Sequence, residues 1–102
     1  MKLYIDTSER EEIKISLDKE VYKTSSKKEK SQRLLPFIDE VLRKKKVTLK
    51  DLTEIKVNTG PGSFTGLKVG VSVAQALGFS LGIPVNGKYM IKGETIDITY
   101  EK

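Results

Sequence analysis

Ile55-Lys56-Val57-Asn58-Thr59-Gly60-Pro61-Gly62-Ser63-Phe64-Thr65-Gly66-Leu67-Lys68-Val69-Gly70 is the stretch that decides the fold. Ile55, Val57 and Thr59 alternate with Lys56 and Asn58, the period of a half-buried strand. Gly60-Pro61-Gly62 breaks that strand. Ser63 then stands where a helix cap belongs, and a helix is predicted from about Phe64 to Leu81, stopped by Gly82 and Pro84. Ile83 to Val85 predicts a further strand. A strand–helix–strand order of this kind implies parallel pairing with right-handed crossovers.

Upstream, Leu3 and Ile5 alternate with Lys2, Tyr4 and Asp6, and Ile13, Ile15 and Leu17 alternate with Lys14, Ser16 and Asp18. Val21 to Thr24 returns after the turn Asp18-Lys19-Glu20, so the chain opens as an antiparallel meander. Leu34, Leu35, Ile38, Val41 and Leu42 predict a first helix from about Ser31 to Lys46, capped by Ser31. Pro36 either bends that helix or marks its start. Thr48 caps a short turn through Leu52. Downstream, Asn86-Gly87 reads as a turn, and Tyr89 to Ile91 with Thr95 to Tyr100 read as a hairpin about Lys92-Gly93. The expected fold is α/β: one ribonuclease H-like lobe of the actin-like ATPase type. It would have a mixed five-stranded sheet and two main helices over residues 1–87, with a hairpin or tail over 88–102.

The 102 residues make one small domain. Cysteine and histidine are both absent. Disulfides, thiolate or imidazole metal ligands, histidine bases and cysteine nucleophiles are thereby excluded. Val69 to Val85 is interrupted by Ser72, Gln75 and Ser80, so no membrane span is expected. The first residues enter a strand with no apolar leader, and a cytoplasmic protein is expected. Net charge is +5, and residues 23–50 hold 10 basic against 3 acidic side chains. That stretch reads as a surface for RNA or as a solvated helix face. Lysine outnumbers arginine 16 to 3, which favours the second reading, because phosphate recognition leans on the guanidinium fork.

Asp6-Thr7-Ser8 follows the first strand. It reads as an Asx turn, or as the acidic and hydroxyl set that holds a metal and phosphates in actin-like kinases. Phosphoryl transfer needs several carboxylates and a closing second lobe, and neither is found here. Gly60 to Gly66 reads as a tight turn with a packing requirement, or as an anion cradle of free N–H groups. It is not a Walker loop, because Leu67 separates Gly66 from Lys68. Gly66, Gly70, Ala74 and Gly78 form a row of small residues on the second helix. Glycine inside a helix costs about 0.5–1 kcal/mol against alanine, so a compensating close contact is implied. The apolar surface of this helix covers about twice the arc that one sheet requires, which points to a partner.

Asn58 to Gly70 closely resembles the signature of the TsaB (YeaZ) family, subunits of the bacterial machinery that makes threonylcarbamoyladenosine in transfer RNA. Leu3 to Ser8 resembles the first strand of the family, and Ser31 to Ile38 its first helix. Ala76-Leu77-Gly78 and Gly82 to Val85 continue the match over about residues 1–87. The resemblance implies an actin-like fold and a non-catalytic scaffold without a cofactor. It also implies pairing with the catalytic homologue TsaD through the two helices, completion by a TsaE ATPase, and an indirect contact with tRNA. Leu34, Phe37 and Ile38 of the first helix, with Ser63, Phe64, Gly66, Gly70 and Ala74 of the second, are the candidate partner interface; a homodimer is expected in isolation. Two departures stand out. The usual histidine before the serine of the first helix is Lys30 here. Family members also normally carry a second lobe of similar size, so the resemblance covers the N-terminal lobe only. Two other readings are a small nucleotide-binding or phosphotransfer enzyme using Asp6 and the Gly60 turn, and an RNA-binding homodimer using residues 23–50.

Overall fold

The structure is a computed structural model that describes residues 1–26 and 29–99. Strands β1 (Lys2–Asp6), β2 (Glu12–Leu17) and β3 (Glu20–Ser25) form the antiparallel meander. Helix α1 (Lys30–Lys44) leads to β4 (Glu54–Val57), which pairs parallel with β1, and helix α2 (Phe64–Leu81) follows. The sheet is four-stranded and mixed, in the order β3-β2-β1-β4. Alternate strand residues Leu3, Ile5, Ile13, Ile15, Leu17, Ile55 and Val57 are buried, while Lys2, Tyr4, Lys14, Ser16 and Lys56 on the other face are not. Both helices cover the apolar face. Leu34, Phe37, Ile38, Val41 and Leu42 of α1 and Val71 and Ala74 of α2 complete one core.

Local chemistry sets the ends of these elements. The hydroxyl of Ser63 accepts from Gly66 N at 3.3 Å and caps α2, and Gly82, at φ 68, closes it. Asp51 accepts from Thr48 N at 2.8 Å and organises the 3-10 turn Leu49–Asp51. Helix α1 runs through Pro36 and starts at Lys30, so it neither begins at the proline nor uses Ser31 as its cap. By length and composition alone α2 could cross a membrane. Its small-residue face lies on the sheet instead.

Two expected elements are absent among the described residues. The fifth strand shrinks to one parallel bridge between Val85 and Ile55. Pro84 precedes it without an N–H, and Asn86 and Gly87, at φ 51 and 80, turn the chain directly after it. The carboxamide of Asn86 takes the place of the next peptide group. It accepts from Val57 N at 2.9 Å and donates to Val57 O at 3.1 Å. The hairpin is replaced by a 3-10 turn, Met90–Lys92, and an irregular strap over residues 94–99; Tyr100 lies outside the described residues. Met90 is buried near Gly78, which commits its backbone to a turn. The strap still packs on the domain through Ile96 and Ile98, with Ile96 N donating to Gln75 Oε1 and Thr99 N to Thr59 O.

Candidate functional site

The β1–β2 loop and the glycine turn meet at the N-terminal ends of both helices. Asp6 ends β1 and accepts from Ser8 N at 3.0 Å, Ser8 Oγ at 2.6 Å and Asn58 Nδ2 at 3.1 Å. Partial burial pushes its carboxyl up, but these hydrogen bonds and the charge of Lys14 outweigh that, and its pKa lies below the usual value. This is the Asx turn, tied to β4 through Asn58. The Asp6 oxygen on which these bonds converge is occupied within the fold.

Thr7 is fully buried, and its hydroxyl is inserted into α2. It donates to Gly66 O at 2.5 Å and accepts from Gly70 N at 3.1 Å, bridging a carbonyl and an amide that an uninterrupted α-helix joins directly. A Cβ on Gly66 would stand 2.4 Å from Thr7 O, and one on Gly70 would stand 2.6 Å from Thr7 Oγ1. Gly62 meets Ser8 in the same way, where a Cβ would lie 2.7 Å from Ser8 Cβ. Gly60 N donates to Asn58 Oδ1, Ser63 N to Ser8 O and Gly66 N to Ser63 Oγ. Three N–H groups of the glycine turn are thus satisfied internally, as a packing turn requires.

The small-residue row therefore serves the fold of this chain. Gly66, Gly70, Ala74 and Gly78 are buried against the β1–β2 loop, the sheet and the segment after α2. Leu34, Phe37 and Ile38 are 0%, 6% and 1% exposed, so they too lie in the core. These side chains are therefore committed to the interior of this chain. Of the eight candidates only Ser63 and Phe64 are exposed. The open apolar surface lies on the other side of α2. A shallow depression of about 360 Å³ is lined by Leu35, Ser72, Val73, Ala76, Leu77 and Ser80. Leu35 is 49% exposed, although its neighbour Leu34 is fully buried. Its place outside the inward stripe of Leu34, Phe37, Ile38, Val41 and Leu42 is the signal that could have singled it out.

The basic stretch is partly neutralised from within. Arg33 pairs with Glu40 and Arg43 with Asp39, each at 2.9 Å, and Lys45 pairs with Glu20. Lys30 turns back to the β1–β2 loop. Lys27 and Lys28 lie outside the described residues. Among the described residues no three Asp or Glu side chains gather as metal ligands.

Comparison with known proteins follows the same elements. The family model described as "TsaD: tRNA N6-adenosine threonylcarbamoyltransferase" matches residues 20–96. The chain is 41% identical over 88 residues to the tRNA threonylcarbamoyladenosine biosynthesis protein TsaB of Buchnera aphidicola subsp. Schizaphis graminum, covering 83% of this chain and 42% of that protein. The chain belongs to the TsaB/YeaZ family. Its solved relative YeaZ from Pseudomonas aeruginosa superposes with a TM-score of 0.71 at 30% identity, over 82% of this chain and 41% of that one. The tRNA N6-adenosine threonylcarbamoyltransferase of Nitrosospira multiformis is 43% identical over 65 residues, 64% of this chain and 19% of that protein. TsaB and the transferase thus share this stretch, and the chain spans less than half the length of these relatives.

Proposed function

We propose that the chain is the N-terminal, actin-like lobe of a non-catalytic cytoplasmic adaptor that pairs with a TsaD-type subunit in tRNA threonylcarbamoyladenosine synthesis. A TsaE-type ATPase completes the assembly, and contact with tRNA is indirect. The observation that carries this reading is the apolar depression between α1 and α2, lined by exposed Leu35 and Ala76 and half-buried Val73 and Leu77. Such a patch on two adjacent helices suits a partner's helical face. Ser63 and Phe64 extend it towards the start of α2. Leu34, Phe37, Ile38, Gly66, Gly70 and Ala74 hold the two helices on the core behind it. The non-catalytic reading is supported by Asp6, a carboxylate already engaged by Ser8 and Asn58.

Co-purification with the TsaD-type subunit of the same organism, followed by light scattering, tests the reading. A stable one-to-one complex that is lost in Leu77→Asp is expected. Unchanged binding by that variant would move the interface elsewhere. A second copy on the same depression, seen as a dimer of the isolated chain, competes for the site and weakens on adding the subunit.

A further inference from the structure

Lys30 is the first residue of α1, and its half-exposed side chain turns back to the β1–β2 loop and not to a carboxylate. Nζ donates to Thr7 O at 3.1 Å and to Glu9 O. A Cβ placed on Gly66 would lie 3.5 Å from Nζ and 3.6 Å from Ser63 Oγ, so the ammonium also sits against the first turn of α2. None of the ion pairs among the described residues includes Lys30. Asp6, Glu9 and Glu12 act on it only as charges at a distance, and Arg10 lines the same cavity. Partial desolvation lowers its pKa, and those three carboxylates oppose the shift. A positive charge at the N-terminal end of a helix is unfavourable to the helix dipole. The position is therefore set by the loop carbonyls and not by α1.

We propose that the Thr7 and Glu9 carbonyls form a small cation site that this chain fills from within, the Lys30 ammonium doing the work of a bound monovalent cation. Two carbonyls brought together within one loop repel each other, and a cation between them removes the repulsion. Thr7 is the residue whose hydroxyl bridges Gly66 and Gly70. Lys30 thus acts as a positioning residue: it holds the loop so that Thr7 reaches α2, and it joins α1, the β1–β2 loop and the first turn of α2 at one point. This inference does not rest on the proposed function.

The test is amide exchange at Gly70, whose N–H is bonded to the Thr7 hydroxyl, together with thermal stability. Lys30→Ala should raise Gly70 exchange roughly tenfold and lower the melting temperature. Methylammonium or ammonium should restore most of both. Tetramethylammonium at equal ionic strength, too large for the site, should not. Lys30→Met keeps the apolar stem without the charge; it should exchange as fast as Lys30→Ala and gain nothing from methylammonium. Recovery by tetramethylammonium equal to that by methylammonium would overturn the proposal, and so would wild-type exchange in Lys30→Met. If Lys30→Ala does not fold, exchange in Lys30→Met alone decides the matter.

Discussion

Helix α2 has two apolar sides built to opposite rules. The inward side is a row of Gly66, Gly70, Ala74 and Gly78, so close to its neighbours that a methyl group on Gly70 would stand 2.6 Å from Thr7 Oγ1. The outward side carries Val73, Ala76 and Leu77, which share an open depression with Leu35. Small residues at fixed spacing thus mark where the helix meets its own domain. Larger residues, only half covered, leave an apolar depression on the other side. The contrast separates two properties that a periodicity argument merges: how closely a surface can be approached, and whether anything approaches it.

Substitutions on the two sides should behave oppositely, and the largest effect belongs to the inward one. Gly70→Leu should leave no folded chain by circular dichroism, and even Gly70→Ala should cost about 1–3 kcal/mol through overpacking. A folded, stable Gly70→Leu variant would return the small-residue row to the surface. Thr7→Val keeps the shape but withdraws the hydroxyl between Gly66 O and Gly70 N; denaturant unfolding should show a loss of about 1–3 kcal/mol. On the outward side, Leu77→Asp should cost about 1–2 kcal/mol, because Leu77 is half-buried against the core, yet leave the chain folded while abolishing partner capture. A large loss of stability in that variant would make the depression part of the core.

Two smaller effects probe the ends of the sheet and α1. Asp6 has its folded pKa below the ordinary value of 3.8, so the stability it confers is complete above that value and is lost as pH falls through the lower folded one. Asp6→Asn should flatten the acid limb of a stability–pH profile below about pH 4, and an unaltered limb would show that the Asx turn contributes little. Arg43→Ala breaks an exposed pair with Asp39 and should shift unfolding by no more than about 0.5 kcal/mol, the smallest change of the set.

Local signals in the sequence translated directly into structure. The alternation Ile55–Val57, the Ser63 cap, the Gly82 stop and the Thr48 turn each depend on residues within a few positions of one another. The glycine turn and the Asx turn were likewise legible as packing devices. What failed depended on distant partners. Ile83 to Val85 has strand chemistry, but Pro84 and the left-handed Asn86 leave room only for isolated bridges from Val85, parallel to Ile55 and antiparallel to Lys88. Residues 89–99 alternate like a hairpin, yet Met90 finds a seat near Gly78, and Ile96 and Ile98 pack on the domain. The direction of the small-residue row was hidden for the same reason. Nothing near Gly70 in sequence announces Thr7, 63 residues away, as its neighbour. Lys30 stood out only as the replacement of the family's usual histidine, because backbone carbonyls, its actual partners, leave no mark in a sequence.

The carboxamide of Asn86 closes the β4 edge by imitating a peptide group towards Val57. It is followed by Gly87, which carries no side chain to shield its amide nitrogen, and such a pair is chemically fragile. Hydrolysis of this side-chain amide with age would set a carboxylate oxygen where the donor to Val57 O now stands, 3.1 Å away, and two acceptors would face each other. The Val57 end of β4 would then lose its cover, while Ile55 stays bonded to Pro84 and Asn86. A stored sample would therefore loosen at this one corner of the sheet through a slow chemical event at Asn86, long before its core had changed.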